Sequence, residues 1–578
     1  MPVKVITTEL GHSVPPEAPH NITFHIPGWE TAKALRRGDP TLLSKLSSIY
    51  PRFGPWCEVR QLAQAIHAKL SLPANYGLVL FVSPDTFLAA QSFSSSTRWR
   101  KPEHLVSPSE LLFRVVEVPI SPSEKIRLYI SCFPATKAPA VVGIWQNYGI
   151  GICSRLAEAC LAHLDSLQVL DFQATGADDV SLSNLPEPTY LPLGEAHAGL
   201  NERIVELAQR AALVPEKASL LRAERDVFLY PTGMAAVYRL HKALWEARGK
   251  EGKVVVLGSV FHNTYHLFEE SEGGMQHFGR CDGTSNVMEE LGAWLEAEKK
   301  GGRKPAYAFA EFPSNPILVS LDLKRLRELA DKYDFPVVID DTIGSFANID
   351  VLPFADVIVT SITKSLSGYA NVMGGSLLLP PSSPYHHSII STLNTQFHNE
   401  YFHPAAAKLL SNSADYLPRS QILNRNAFSL AKYLQTEHVS SASSPVKAVL
   451  YPPFTDTKSK YDVTMRPSTP EFPEPGYGCL LAIDFESLPL AKAFYNNLSV
   501  YHGPHLGAHQ TLAFPFNDAI WGVEPEAAEY LKTFGASPEQ VRISVGLESE
   551  EELLDTFKFA LEKAIEEKKR LEAADTTA

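Results

Sequence analysis

Cysteine is scarce in this 578-residue sequence: there are six, and no two form a C-x-x-C pair or any other metal-ligand spacing. That excludes a disulfide scaffold, gives no cause to expect a metal, and fits a reducing compartment. No apolar run is long enough to span a bilayer. The first residues, Met1-Pro2-Val3-Lys4-Val5-Ile6, carry neither an apolar signal core nor an Arg-rich amphipathic stretch, so the expectation is a cytosolic protein that does not engage a membrane. Positive charge is also in deficit. Lys and Arg total 52 against 65 Asp and Glu, a net charge of −13, which argues against a nucleic-acid partner held by phosphate neutralisation.

What is present is an ordinary folded composition, 45% hydrophobic and 20% charged, in a chain too long for one core. We expect three zones: an N-terminal extension over residues 1–180, a large domain over 181–400 and a small α+β domain over 401–578, with a polar linker near Gly176 to Gly194. The central zone is the most legible. Val254 to Leu257, Ala306 to Phe312, Pro336 to Asp340 and Asp356 to Ser361 read as buried strands. Between the second and third, Leu323, Leu326, Leu329 and Ala330 recur at helical spacing. Strands alternating with helices imply an α/β fold with a central, mostly parallel sheet. Ligands in such sheets gather at the carboxyl ends of strands.

The strongest chemical signal lies at one such end, Thr360-Ser361-Ile362-Thr363-Lys364-Ser365. A lysine flanked by hydroxyls suits a Schiff base to an aldehyde cofactor beside its phosphate, the pattern needed for pyridoxal 5′-phosphate (PLP). Alone it reads better as a surface lysine after a strand. Asp340, ending the preceding strand, shifts the balance, because PLP needs an acidic partner for its ring nitrogen. Asp341 is expected on the opposite side of the strand. Gly233, in Pro231-Thr232-Gly233-Met234, opens an amphipathic helix where backbone N–H groups and the helix dipole favour a phosphate.

These segments resemble the Cys/Met-metabolism PLP enzymes of aminotransferase-like fold type I. The resemblance runs through Pro231 to Ala236, Glu311-Phe312-Pro313-Ser314-Asn315-Pro316, Val338 to Thr342, Ser361 to Lys364 and Val541-Arg542-Ile543-Ser544. The N-terminal zone, through Tyr50-Pro51-Arg52-Phe53 and Trp145 to Arg155, is similar to the long fungal cystathionine γ-synthases. The resemblance implies a role for each matched position. Lys364 would hold the cofactor and shuttle protons, and Asp340 would pair with the ring nitrogen. Gly233 and Met234 would give N–H groups to the phosphate, Ser361 and Thr363 hydroxyls. Asn315 would lie near the phenolic oxygen, and Arg542 would bind the substrate carboxylate, for which a planar bidentate cation is suited.

The sequence departs from the pattern at three places. Phe261 stands where the family has a ring-stacking tyrosine, so stacking is kept while a hydroxyl is lost; His262, Tyr265 or His266 are the nearby polar substitutes. His505, in His505-Leu506-Gly507, replaces a serine; it either contacts substrate or shapes a turn. A Tyr-x-Arg phosphate clamp, which the family takes from a neighbouring subunit, is not found around Tyr190. Tyr190 and Arg155 are the candidates to cover it, and loose cofactor binding is the expectation.

The function implied is γ-replacement on an O-acyl-homoserine through a vinylglycine-type intermediate, with cysteine as acceptor and cystathionine as product. Two alternatives stand beside it: a divergent enzyme of a specialised metabolite pathway using another thiol or a carbon nucleophile, and a non-catalytic binding or regulatory subunit. A homodimer or homotetramer is implied by the resemblance.

Overall fold

The computed structural model describes residues 5–96, 102–176 and 190–575. Of the expected linker, residues 177–189 lie outside the described residues.

Three sheets organise the described residues. The first, in order β1-β3-β2-β4, is antiparallel throughout and is built from β1 (Tyr76–Phe81), β2 (Leu112–Pro119), β3 (Lys125–Pro134) and β4 (Gln168–Thr175). The second has seven strands in the order β5-β11-β10-β9-β8-β6-β7. They are β5 (Val227–Tyr230), β6 (Val254–Leu257), β7 (Met275–Phe278), β8 (Tyr307–Glu311), β9 (Val337–Asp340), β10 (Val357–Thr360) and β11 (Gly375–Leu378). Only β11 runs against its neighbours; β10, β9, β8, β6 and β7 pair in parallel. The third, mostly antiparallel sheet has the order β12-β13-β16-β15-β14. It comprises β12 (Val446–Leu450), β13 (Leu480–Phe485), β14 (Tyr501–His502), β15 (Leu512–Phe514) and β16 (Gln540–Ser544).

The central strands are runs of Val, Ile and Ala because both sheet faces are covered, the usual state of parallel sheets. All four residues of β6 and of β10 are buried. Helix Leu323–Tyr333 shows why the period was legible: Leu323, Leu326, Leu329 and Ala330 are its buried face. Its start is set by Asp322, whose carboxylate accepts the Arg325 N–H at 2.9 Å.

The N-terminal extension is not an appendage. Phe24, Tyr50 and Trp56 belong to the same buried cluster as Val255 and Ile339 of the central sheet and Phe514 of β15. Trp29 packs instead into the core of the third sheet, and its indole Nε1 donates to Asp518 at 2.7 Å. Among the described residues, no helix is long and apolar enough to cross a membrane.

Candidate active site

In-register pairing of β8, β9 and β10 sets Glu311 beside Asp340, and Asp340 beside Val359. Three strand ends therefore open onto one edge, and the turn after β10 carries Lys364 to it. One cavity there is lined by Lys364, Asp340, Gly233, Met234, Phe261, Asn315, Ser361, Thr363 and Arg542, together with Tyr50, Arg52 and Glu311. Nine residues singled out in the sequence thus share a wall. His505 is buried behind it, with Nδ1 3.4 Å from Lys364 Nζ.

The lysine Nζ donates to the Tyr50 phenol at 3.1 Å. Burial pushes the Tyr50 phenol up, but the charges of Lys364, Arg52 and Arg542 and the Lys364 hydrogen bond outweigh it and hold the phenol below its ordinary value. Burial, with Lys364 and Arg542 adding to it, drives His505 well below the usual imidazole range, so this ring is neutral.

The cavity fits PLP. At the start of helix Gly233–Ala247, the Thr232 hydroxyl accepts the Ala235 N–H at 2.8 Å, and the Thr232 carbonyl takes that of Ala236. The N–H groups of Gly233 and Met234, orphaned at any helix start, are left for a phosphate. A Cβ on Gly233 would stand 2.7 Å from Ser361 Cβ, so glycine is required for the close approach of these two walls. Burial raises Asp340 to about 6, against the Thr342 hydrogen bonds and the charge of Lys364. A cationic ring nitrogen would compensate that buried carboxylate. Asp341 indeed faces away, accepting the Thr360 hydroxyl at 2.6 Å.

Arg542, on β16, donates from Nη1 to Asn315 Oδ1 at 3.2 Å and from Nη2 to the Pro504 carbonyl. Its guanidinium lies 4.3 Å from the Phe516 ring centroid. Burial lowers it to about 10, which leaves it cationic at neutral pH.

Four sequence readings change. The pocket does contain a Tyr-x-Arg: Tyr50-Pro51-Arg52, from the same chain's N-terminal extension. Arg52 Nη1 donates to the carbonyls of Trp145 and Gln146 at 3.0 and 2.7 Å. The substitutes proposed from sequence lie elsewhere, Arg155 bonded to the Asn371 carbonyl at 2.7 Å and Tyr190 stacked on His398. Second, Thr363 gives its hydroxyl proton to the Gly374 carbonyl and accepts the Gly374 N–H, both at 3.0 Å; Ser361 is left as the hydroxyl donor. Third, the phenol near Lys364 comes from Tyr50 and not from Tyr265, whose ring packs edge-on to His277. Fourth, Glu311, read from sequence only as part of a matched segment, lines the site as well. It accepts the Phe261 N–H at 2.6 Å, and burial beside Asp340 pushes its carboxyl well above the usual range. Its strand-end position, in register with Asp340, was the available signal.

Phe261 also borders a larger chamber of about 520 Å3, which shares Tyr50, Arg52 and Pro504 with the first cavity.

The family model for Cys/Met metabolism PLP-dependent enzymes matches residues 208–562. The cystathionine gamma-synthase-like enzyme iboG1 of Amanita muscaria is 31% identical, over 96% of this chain and 97% of its own length. The alanine racemase ungC of Aspergillus violaceofuscus is also 31% identical, over 96% of both chains. The cystathionine gamma-synthase of Neurospora crassa is 27% identical over 97% of this chain and 99% of its own. The fold is that of the cystathionine gamma-synthase from Xanthomonas oryzae pv. oryzae solved with cystathionine, with a TM-score of 0.51 at 21% identity over 64% of this chain and 86% of that one. By family match, fold and the fit of its cavity, this chain belongs to the Cys/Met metabolism PLP-dependent enzymes and is itself a PLP-dependent enzyme.

Proposed function

We propose that the enzyme carries out γ-replacement on an O-acyl-homoserine, releasing the acyl group as a carboxylic acid and joining a nucleophile to Cγ, with cysteine the first acceptor to test. The observation that carries this reading is a pair of neighbouring spaces walled in common by Tyr50, Arg52, Phe261 and Pro504: a tight pocket at Lys364 and a chamber of about 520 Å3 beyond Phe261. A γ-replacement needs room for a second reactant beside a held first one.

Bound PLP supplies an electron sink for the carbanion formed next to the substrate amino group. The chain supplies the rest. Arg542 binds the α-carboxylate and is pinned by Asn315 and Pro504, so little reorganisation is needed on binding. Lys364 moves protons at the substrate carbons. Tyr50, on Lys364 and with a depressed phenol, holds a proton that the family's ring tyrosine would otherwise carry, while Phe261 keeps only the stacking surface. Neutral His505 accepts from the lysine side and adds no charge of its own.

The test is a product assay by mass spectrometry with O-acetylhomoserine and a panel of acceptors. Acetate release with cystathionine formed from cysteine supports the reading as stated. Acetate release with a different adduct moves the acceptor to another thiol or a carbon nucleophile, a reading favoured by Phe261 and by a relative named for another activity, the alanine racemase ungC. No acetate release, or racemisation alone, would sink the γ-replacement proposal.

A further inference from the structure

Helix His262–Glu269 places His262 and His266 one turn apart on the same face, lining the chamber. Glu524, 258 residues on from His266, meets them from the C-terminal domain. The two Nε2 atoms are 3.1 Å apart. One Glu524 oxygen lies 3.3 Å from His262 Nε2 and the other 3.3 Å from His266 Nε2. A tetrahedral ion with bonds of ~2.0–2.1 Å holds its donor atoms about 3.3 Å apart; the two imidazole nitrogens stand near that spacing, and with one donor atom from each residue all three lie within 4.8 Å of one another.

The supporting contacts are those of a metal centre as well. Glu269 accepts the Nδ1 proton of His266 at 2.9 Å, which turns Nε2 toward the other two donors. This is the carboxylate–histidine orientation seen behind metal-binding imidazoles. Trp521 packs against both rings, with centroids 4.4 and 5.8 Å away, and restricts their rotation. Both imidazoles are buried, while Glu524 is partly open to the chamber. Two histidines and one carboxylate suit zinc and its neighbours in the first transition row better than calcium or magnesium.

We propose that His262, His266 and Glu524 form a binding site for a divalent transition ion, zinc by ligand chemistry, in the wall of the chamber next to the Lys364 pocket. Three protein ligands leave a fourth position, as in open rather than purely structural zinc sites. That position would be taken by water or by an anionic group of a molecule in the chamber, where Arg36 and Arg52 also stand. The sequence offered only the i, i+4 histidine pair; the third ligand comes from tertiary structure.

The experiment is calorimetric titration of chelator-treated holoenzyme with zinc chloride, alongside elemental analysis of the enzyme before chelation. One zinc per chain is expected. The His262→Gln/His266→Gln double variant should bind at least ~100-fold more weakly, and Glu269→Gln, which keeps all three donors, ~10- to 100-fold more weakly. Thermal melting of each variant shows whether it is folded; the Glu269→Gln result stands if the double variant is not. Failure of the wild type to bind one equivalent at micromolar zinc would overturn the proposal, leaving an ion-pair network. Equal binding by wild type and both variants would also overturn it, since the ion would then sit elsewhere.

Discussion

Replacing Arg52 by glutamine tests whether the N-terminal extension completes the cofactor site. The guanidinium spends one nitrogen on the Trp145 and Gln146 carbonyls and lines the Lys364 cavity. Burial lowers it to about 10, so it is cationic at neutral pH. A guanidinium has five N–H donors, so donors remain for a phosphate, and glutamine preserves an amide donor for the two carbonyls. A hydrogen bond to a charged group contributes ~1.5–3 kcal/mol. At about 1.4 kcal/mol per tenfold, Arg52→Gln should weaken PLP affinity about 10- to 150-fold. The assay is absorbance-monitored PLP titration of apoenzyme, with the melting temperature of apoenzyme as a control for general damage. A change under about threefold, with apoenzyme stability intact, would refute the assignment of Arg52 to the phosphate.

Tyr50→Phe, which removes the phenol on Lys364, should lower kcat by roughly 100-fold, the low end for an acid–base group, with KM little changed; steady-state kinetics on the substrate found by mass spectrometry would show it. Gly233→Ala forces a Cβ to 2.7 Å from Ser361 Cβ and 2.8 Å from its hydroxyl; overpacking of about 1–3 kcal/mol is expected, read as a lower melting temperature and weaker PLP retention. Asp341 is raised by burial to about 7, above the ~3.9 of an exposed aspartate. The folded state therefore binds the extra proton between those values, and this stabilisation is lost as pH rises through about 7. Asp341→Asn should flatten the melting-temperature profile across pH 4–8 (about the interval between the two values); an unchanged slope would show that another group governs it.

The order Gly233, Asp340, Lys364 was legible because each part of its signal is local. Alternating β-branched runs and 3.6-residue periods mark strands and helices without reference to distant residues, and parallel pairing then brings strand ends to one edge. Lys364, Asp340, Gly233, Met234 and Asn315 consequently fall on one wall, which Arg542 joins from β16 of the third sheet. The missing Tyr-x-Arg shows where local reading fails: Tyr50-Pro51-Arg52 was in plain view, but nothing within a few residues of it says that it reaches a strand edge more than 300 residues later.

By itself, then, the sequence determined the mostly parallel sheet, the lysine at the end of β10 and the PLP chemistry those residues are suited to. Tertiary structure decided which phenol touches Lys364, which arginine lines the cavity beside it, and that Glu311 must share its surroundings with Asp340. It also decided that the Thr363 proton belongs to Gly374 and that Glu524 joins His262 and His266. The physical reason is common to all of these. Hydrophobic period and strand order are written over spans of about ten residues, whereas hydrogen bonds and charge pairs between remote segments depend on how whole layers pack, and packing leaves no period in the chain.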